Sequence, residues 1–238
     1  MISIIIAAYN EENRIGPSLS KISEYCVTNQ MDYEMIVVDD GSSDRTVKVV
    51  TELIPNIPKL KVISYSPNMG KGYALRKGVL SSKGDMVLLT DADLSTPIEE
   101  LSNLLPLLLT KKNDVAIGSR SLAQSQIIKK QAFWRQWMGK IFNKVVKLLV
   151  IKDFSDTQCG FKLFSRGAAT CLFKEARINR FAYDVEILGL AKRRGYRISE
   201  VPVRWINSPA SKVKPLRDSM QMLFDLFRIR AAIMGGKK

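Results

Sequence analysis

The stretch Met86-Val87-Leu88-Leu89-Thr90-Asp91-Ala92-Asp93 joins an apolar run to two carboxylates that are one residue apart. Four consecutive apolar residues predict a buried strand, and the acids follow where that strand ends. Ligands of open α/β sheets bind beyond the carboxyl ends of the strands, so a site is expected at Asp91 and Asp93. This pair suits a hard divalent cation that keeps water ligands and also contacts a diphosphate. The alternative interpretation is a polar turn that closes the strand.

Strands and helices alternate on both sides of this stretch, along residues 1–120. Apolar runs that predict strands lie at 3–8, 34–38, 59–64, 86–90 and 114–118. Segments with helical spacing of apolar residues lie at 14–27, 45–53, 70–80 and 97–109. Strands that look buried on both faces and are separated by helices predict an α/β fold, in which a mostly parallel, Rossmann-like sheet carries helices on both faces.

Three of the predicted strands end in acidic residues, which are Glu11, Asp39, Asp40, Asp91 and Asp93. Parallel strands of one sheet end at the same edge, so we expect these side chains to line one crevice. Carboxylates repel one another, and so many of them at one edge indicate a bound cation or a cationic ligand.

Three further motifs follow predicted strands. The carboxylates of Asp39-Asp40-Gly41-Ser42 can accept hydrogen bonds from a nucleobase or a ribose, although the motif is also ordinary turn chemistry. The segment Asn68-Met69-Gly70-Lys71-Gly72 lacks the spacing and the Ser/Thr of a Walker A loop, so Lys71 is either a ligand contact or a solvated lysine. An arginine in Gly118-Ser119-Arg120 suits phosphate recognition, or else a structural ion pair.

The composition limits the chemistry. A formal charge of +14, from 37 Lys and Arg against 23 Asp and Glu, indicates an anionic partner such as nucleic acid, a membrane surface or a phosphorylated molecule. The absence of histidine excludes imidazole-based catalysis and imidazole metal ligands. The three cysteines have no metal-like spacing, which favours a reducing, cytosolic setting. We find no secretory signal and no transmembrane window, and we expect a soluble or membrane-peripheral protein.

Two amphipathic helices are predicted towards the end of the chain. Residues 121–152 hold seven Lys or Arg and no acid, and a helix at 127–151 gathers Trp134, Trp137, Ile141 and Leu148 on one side. The last helix gathers Met220, Leu223, Phe224 and Phe227, with Leu226 and Ile229 widening the stripe. Basic helices with such stripes are typical of interfacial membrane anchors, and the alternative is a helix packed on the sheet.

These motifs together resemble family 2 glycosyltransferases with the GT-A fold, over residues 3–234. Within that family they are similar to the polyprenyl-phosphate branch, and to dolichyl-phosphate β-glucosyltransferases more than to the mannosyl enzymes. The most discriminating segments are Asn-Met-Gly-Lys-Gly at 68–72, Gly-Ser-Arg at 118–120, Asp-Thr-Gln-Cys-Gly-Phe-Lys at 156–162 and Tyr-Asp-Val-Glu at 183–186. We predict a GT-A domain at 1–212 and a C-terminal interfacial helix at 213–238.

The resemblance also implies a site. Residues implied to bind the nucleotide donor are Ala8, Tyr9, Glu11, Asp39, Asp40, Lys71 and Ala92. Asp93, with Asp91 beside it, is implied to hold Mg²⁺ or Mn²⁺ together with the donor diphosphate, although Ser95 stands where some mannosyl relatives have Gln. Arg120, Ser211 and Lys212 are implied to bind a phosphate of the acceptor or donor, and our own candidate for positioning the site near the anomeric carbon is Asp156. The residues predicted to be catalytic are Asp91, Asp93, Arg120 and Asp156.

The implied reaction is the inverting transfer of a sugar to a polyprenyl or dolichyl phosphate, and the first candidate for that sugar is glucose from UDP-glucose. A phosphate monoester is largely dianionic at neutral pH and needs no base. Transfer to a saccharide or protein hydroxyl is one alternative, and it would need Asp156 or Asp184 as the base. A basic nucleic-acid-binding protein is another, against which the acids at the strand ends argue. We therefore expect an anionic membrane surface as a partner, no nucleic acid, and a peripheral position on the cytoplasmic face of a membrane.

Overall fold

The computed structural model describes residues 1–129, 133–208 and 215–235 of the chain. Within these residues seven strands form one sheet and two more form a small sheet beside it. The strands of the main sheet are β1 Ile2–Ala8, β2 Tyr33–Asp40, β3 Leu60–Tyr65, β4 Met86–Asp91, β5 Val115–Ser119, β7 Lys162–Ser165 and β8 Ile198–Pro202. The small sheet pairs β6 Gln126–Lys129 with β9 Arg204–Ile206.

The main sheet has the order β3-β2-β1-β4-β7-β5-β8. All of its neighbouring strands run parallel except β7, which lies antiparallel between β4 and β5. The predicted mostly parallel sheet is therefore confirmed. The four-residue strand β7 was not predicted, because so short a segment shows no periodicity of its own.

Helices cover both faces of the sheet. They are α1 Ile15–Thr28, α2 Thr46–Leu53, α3 Lys71–Ser81, α4 Leu101–Leu109, α5 Phe133–Leu149, α6 Arg166–Glu175, α7 Tyr183–Arg193 and α8 Pro215–Gly235. One core layer lies between the sheet and α1, α2 and α4, and the other lies beneath α3 and α5–α8. Neighbouring β1 residues serve different layers, since Ile4 packs in the first layer and Ile5 in the second. Burial on both faces explains why the central strands β1, β2 and β4 are mainly apolar.

The two late helices divide their apolar residues between the core and the surface. In α8, Met222, Leu226 and Ile229 are buried in the layer that also contains α7. The prediction that Leu226 and Ile229 widen an exposed stripe is therefore wrong, because packing on α7 turns them inward. The large apolar side chains that stay exposed are Trp137, Ile141 and Leu148 of α5, and Met220, Leu223, Phe224 and Phe227 of α8. None of the described helices has the length and apolar content needed to span a bilayer.

Candidate active site

A cleft with a volume of about 450 Å³ opens at the carboxyl ends of β1, β2 and β4. The sequence-predicted residues that line it are Ala8, Tyr9, Glu11, Asp40, Lys71, Asp91, Ala92, Asp93 and Arg120. Glu11, Asp40, Asp91 and Asp93, which follow three separate strands, thus face one crevice, as the parallel-sheet argument requires, whereas the predicted site residues Asp39 and Asp156 are buried and are not among the residues that line it. Ser211 and Lys212, also predicted for this site, lie outside the described residues.

Lys71 forms an ion pair with Asp91 at the centre of the cleft. Its Nζ lies 2.5 Å from Asp91 Oδ1. Burial alone would lower the pKa of the Lys71 ammonium, but the carboxylates of Asp91 and Asp184 more than offset this and raise it. Lys71 is the first residue of α3, directly after Gly70, whose φ of +104° suits glycine and whose added Cβ would lie 2.6 Å from the Asn179 carbonyl oxygen. The backbone therefore sets where this lysine enters the cleft.

The start of β7 supports the Asp91 carboxylate from below. A Cβ on Gly160 would lie 2.6 Å from Asp91 Cγ, so only glycine leaves room for the carboxylate. Lys162, which is 1% exposed, donates from Nζ to both the Cys159 carbonyl and the Asp184 carboxylate. These contacts join the segment at 156–162 to the segment at 183–186, two of the segments that carry the family resemblance.

Asp93 is paired with an arginine that the sequence analysis missed. Arg14 Nη1 lies 3.1 Å from Asp93 Oδ2 and 2.6 Å from Ser208 Oγ. The same guanidinium contacts both oxygens of Glu11, at 2.7 and 2.6 Å. Asp93 Oδ1 accepts a hydrogen bond from the Ser95 backbone N–H at 3.0 Å. An arginine three residues after a strand-exit glutamate was the available signal, because it can fold back onto the acids of the same edge.

Arg120 and Asp156 form a bidentate ion pair on the other side of Asp91. Arg120 donates from Nε at 2.6 Å and from Nη2 at 2.9 Å, and its backbone N–H adds a third bond at 3.0 Å. Burial by itself would raise the pKa of the Asp156 carboxyl, but Arg120 outweighs it and lowers that pKa to about 2. The guanidinium also lies 5.6 Å from the ring centroid of Trp205, within cation–π range.

Asp39 and Asp40 end the same strand in different surroundings. Asp40 accepts hydrogen bonds from the backbone N–H groups of Met69 and Gly70, at 2.7 and 2.8 Å, and thereby shapes the loop that leads to Lys71. Asp39 is 1% exposed and accepts bonds at Oδ2, but its Oδ1 is buried without a hydrogen-bond partner. A buried carboxylate oxygen without a donor is uncommon and indicates a site for an N–H or O–H group.

Comparisons with known proteins identify the family of this chain. The family model described as glycosyl transferase family 2 matches residues 3–173. The chain belongs to glycosyltransferase family 2. A dolichyl-phosphate β-glucosyltransferase of Dictyostelium discoideum is 38% identical over 96% of this chain and 73% of its own. The human protein of that name is 36% identical over 99% and 76%, and that of Saccharomyces cerevisiae 32% over 99% and 75%.

Solved structures identify the fold of this glycosyltransferase as GT-A. Glucosyl-3-phosphoglycerate synthase from Mycobacterium tuberculosis superposes with a TM-score of 0.73 at 20% identity, covering 99% of this chain and 80% of that one. Mannosyl-3-phosphoglycerate synthase from Rubrobacter xylanophilus gives a TM-score of 0.71 at 18% identity, over 98% and 73%. The predicted GT-A class and the prediction that the chain is an enzyme are both confirmed.

The carboxylate oxygens in the glycosyltransferase cleft fit a hard divalent cation. The described residues contain no group of three or more acidic, cysteine or histidine side chains that could enclose a metal ion. Asp91 and Asp93 instead offer carboxylate oxygens from two residues. Such a set fits Mg²⁺ or Mn²⁺ that takes its remaining oxygen ligands from a diphosphate and from water. The assignment of these two residues as metal ligands stays a prediction.

Proposed function

We propose that this glycosyltransferase transfers glucose from UDP-glucose to a polyprenyl phosphate of the dolichyl type, with inversion and with Mg²⁺ or Mn²⁺ as cofactor. The observation that carries the proposal is the alternation of charge in one cleft, where Asp91 and Asp93 lie between Lys71, Arg14 and Arg120. Relatives at 32–38% identity are named dolichyl-phosphate β-glucosyltransferases, and the mycobacterial synthase was crystallised with Mn²⁺ and UDP-glucose.

The residues of the cleft divide into roles for the two anionic substrates. On the donor side, Tyr9 lines the cleft with a 38% exposed ring against which a nucleobase can stack, and Asp39, whose buried Oδ1 lacks a donor although it does not line the cleft, stays the predicted acceptor for a nucleobase N–H. Asp93, with Asp91 beside it, would hold the metal ion. When bound, a divalent cation neutralises charge that develops on the leaving diphosphate. Arg120 and Lys71 supply fixed positive charge for the acceptor phosphate and the donor.

The state of the two candidate bases favours a phosphate acceptor over a hydroxyl acceptor. Asp156 is held by Arg120 and has a pKa of about 2, which makes it a weak base at neutral pH. Asp184 is 4% exposed, is bonded to Lys162 and is not among the residues that line the cleft, which disfavours it as the base. A phosphate oxygen of the acceptor needs neither. It forms the new bond to the anomeric carbon while the bond to the diphosphate breaks, and the electron pair leaves with UDP.

A peripheral position on the cytoplasmic face of a membrane follows as part of the proposal. Asp218 of α8 lines the cleft, and the same helix exposes Met220, Leu223, Phe224 and Phe227. Contact of that face with lipid would bring the headgroup layer, where a polyprenyl phosphate lies, to the mouth of the cleft. The expectation that nucleic acid is not a partner stays a prediction.

Asp93→Asn tests the proposal. The assay incubates purified enzyme, short-chain polyprenyl phosphate and Mg²⁺ with UDP-glucose, UDP-GlcNAc or GDP-mannose in separate reactions. Mass spectrometry then determines the mass of the lipid product. We expect a glucose adduct from the wild type. In the variant, turnover should fall by roughly 100-fold or more, because metal-assisted charge stabilisation is worth several kcal/mol. Mn²⁺ binding, followed by electron paramagnetic resonance, should weaken in parallel.

Asp32→Asn is the matched control, since Asp32 is 65% exposed and lies away from the cleft. It should leave turnover and Mn²⁺ binding unchanged. Near-normal turnover of the folded Asp93 variant would refute the metal assignment, and a product only from a free alcohol acceptor would refute the phosphate acceptor.

A further inference from the structure

We propose that a second anion site lies between the C-terminal ends of α5 and α8 and takes the phosphate headgroup of an anionic membrane lipid. A cavity of about 310 Å³ there is lined by Lys147, Lys152 and Arg230, together with Leu148 and Ile233. This site goes beyond the proposed reaction, and it depends neither on the sugar transferred nor on the acceptor.

Among the described residues, no acidic side chain pairs with the three cations of this cavity. Within the described parts of the chain, no salt bridge joins Lys147, Lys152 or Arg230 to a carboxylate. The nearby acids serve other cations, since Asp153 pairs with Lys192 and Asp225 pairs with Arg228. Three like charges around one cavity repel one another, and an anion held between them would remove that repulsion.

One of the cations is also held in place. Arg230 Nη1 donates to the carbonyl oxygen of Leu149, the last residue of α5, at 2.8 Å. The C-terminal end of a helix attracts cations, but the partial charge of its carbonyl groups does not balance three full charges. The hydrogen bond therefore orients the guanidinium without neutralising it, and leaves its other N–H groups available to a phosphate.

The rim of the cavity favours a lipid over free phosphate. Leu148 is 73% exposed there, and Phe227, which lies one turn before Arg230 on α8, is 53% exposed. A group of cations beside exposed apolar side chains matches an amphiphile whose phosphate and acyl chains are adjacent. An inorganic phosphate ion would use only the cations.

The second site is separate from the catalytic cleft. Asp218 lines the cleft and Arg230 lines the cavity, and their separation of twelve positions along α8 corresponds to about 18 Å of helix. A headgroup bound at the cavity would hold α8 against the membrane without occupying the position of either substrate.

The test compares two triple variants that remove the same number of charges. Lys147→Gln/Lys152→Gln/Arg230→Gln changes the cavity, and Lys83→Gln/Lys111→Gln/Lys112→Gln changes exposed lysines elsewhere. Sedimentation with phosphatidylcholine vesicles, with and without phosphatidylglycerol, measures binding. At roughly fivefold per cation near the surface, the cavity variant should lose up to roughly 125-fold in affinity for the anionic vesicles, and the control variant little. Equal losses in both variants would overturn the proposal, because net charge alone would then explain binding.

Two further measurements separate the sources of phosphate and the two proposals. Calorimetric titration with a water-soluble short-chain phosphatidylglycerol should give binding that inorganic phosphate does not reproduce; equal affinity for both would overturn the lipid assignment. Transfer to a short-chain polyprenyl phosphate in detergent should be the same for the cavity variant and the wild type. If the cavity variant loses vesicle binding but retains transfer, the second site is supported. If the wild type itself fails to transfer glucose, the proposed function is refuted and the second site is not affected.

Discussion

Lys162→Met is expected to destabilise this glycosyltransferase strongly, although residue 162 does not line the cleft. Lys162 is 1% exposed, and its ammonium group is bonded to the Asp184 carboxylate and to the Cys159 carbonyl. Methionine has a similar length and keeps the apolar packing. The substitution therefore removes mainly the charge and two hydrogen bonds, and leaves Asp184 buried without its partner.

The magnitude follows from these contacts. Removing one member of a buried ion pair costs about 3–5 kcal/mol, because the remaining charge has lost its compensation. With an unfolding entropy of about 2.1 cal/mol/K per residue, 238 residues give about 0.5 kcal/mol/K, so Tm should fall by roughly 6–10 °C. The double variant Lys162→Met/Asp184→Asn removes the buried charge and should recover part of the loss. The Cys159 carbonyl still lacks its donor, and a deficit of about 1–3 kcal/mol should remain.

Urea denaturation followed by circular dichroism measures both variants, with Lys61→Met as the control. Lys61 also pairs with a buried acid, Glu34, but is itself 56% exposed, so water can compensate the charge and the loss should stay within about 1 kcal/mol. The argument is refuted if Lys162→Met lowers the free energy of unfolding no more than Lys61→Met does. It is also refuted if the double variant is less stable than Lys162→Met alone.

Two further predictions concern the supports of the cleft. Gly160→Ala should lower transfer and Mn²⁺ affinity at least tenfold, since its Cβ would displace the Asp91 carboxylate, and the overpacking should cost about 1–3 kcal/mol of stability. Gly167→Ala is the control, because its Cβ would meet nothing within 4 Å, and it should leave transfer unchanged. Equal effects of the two substitutions on transfer would contradict the argument. Asp156, whose pKa falls from 3.8 to about 2 on folding, should contribute about 2 kcal/mol that is present above pH 4 and lost as the pH falls towards 2. The difference in unfolding free energy between the wild type and Asp156→Asn should therefore narrow between pH 5 and pH 2, and a constant difference would show that the paired carboxylate is not the cause.

Local patterns in the sequence determined the parallel part of the sheet and the edge where the site lies. The mainly apolar runs that became β1, β2 and β4 are buried on both faces, and that burial favours apolar residues along most of their length. Acids at the ends of such strands must meet, because parallel strands share an edge. Asp91 and Asp93 were therefore predictable as parts of one cleft from the residues immediately around them.

The tertiary structure alone decided which charges pair. Arg14 meets Asp93 across 79 positions, and Lys162 meets Asp184 only because the antiparallel strand β7 brings it beneath the cleft. It also turned Leu226 inward and left Phe224 and Phe227 exposed on the same helix. The physical reason is the separation along the chain of the residues that interact. Hydrophobic periodicity is recorded within a few consecutive residues, whereas an ion pair or a buried helix face depends on elements that are distant in the chain and become neighbours only on folding.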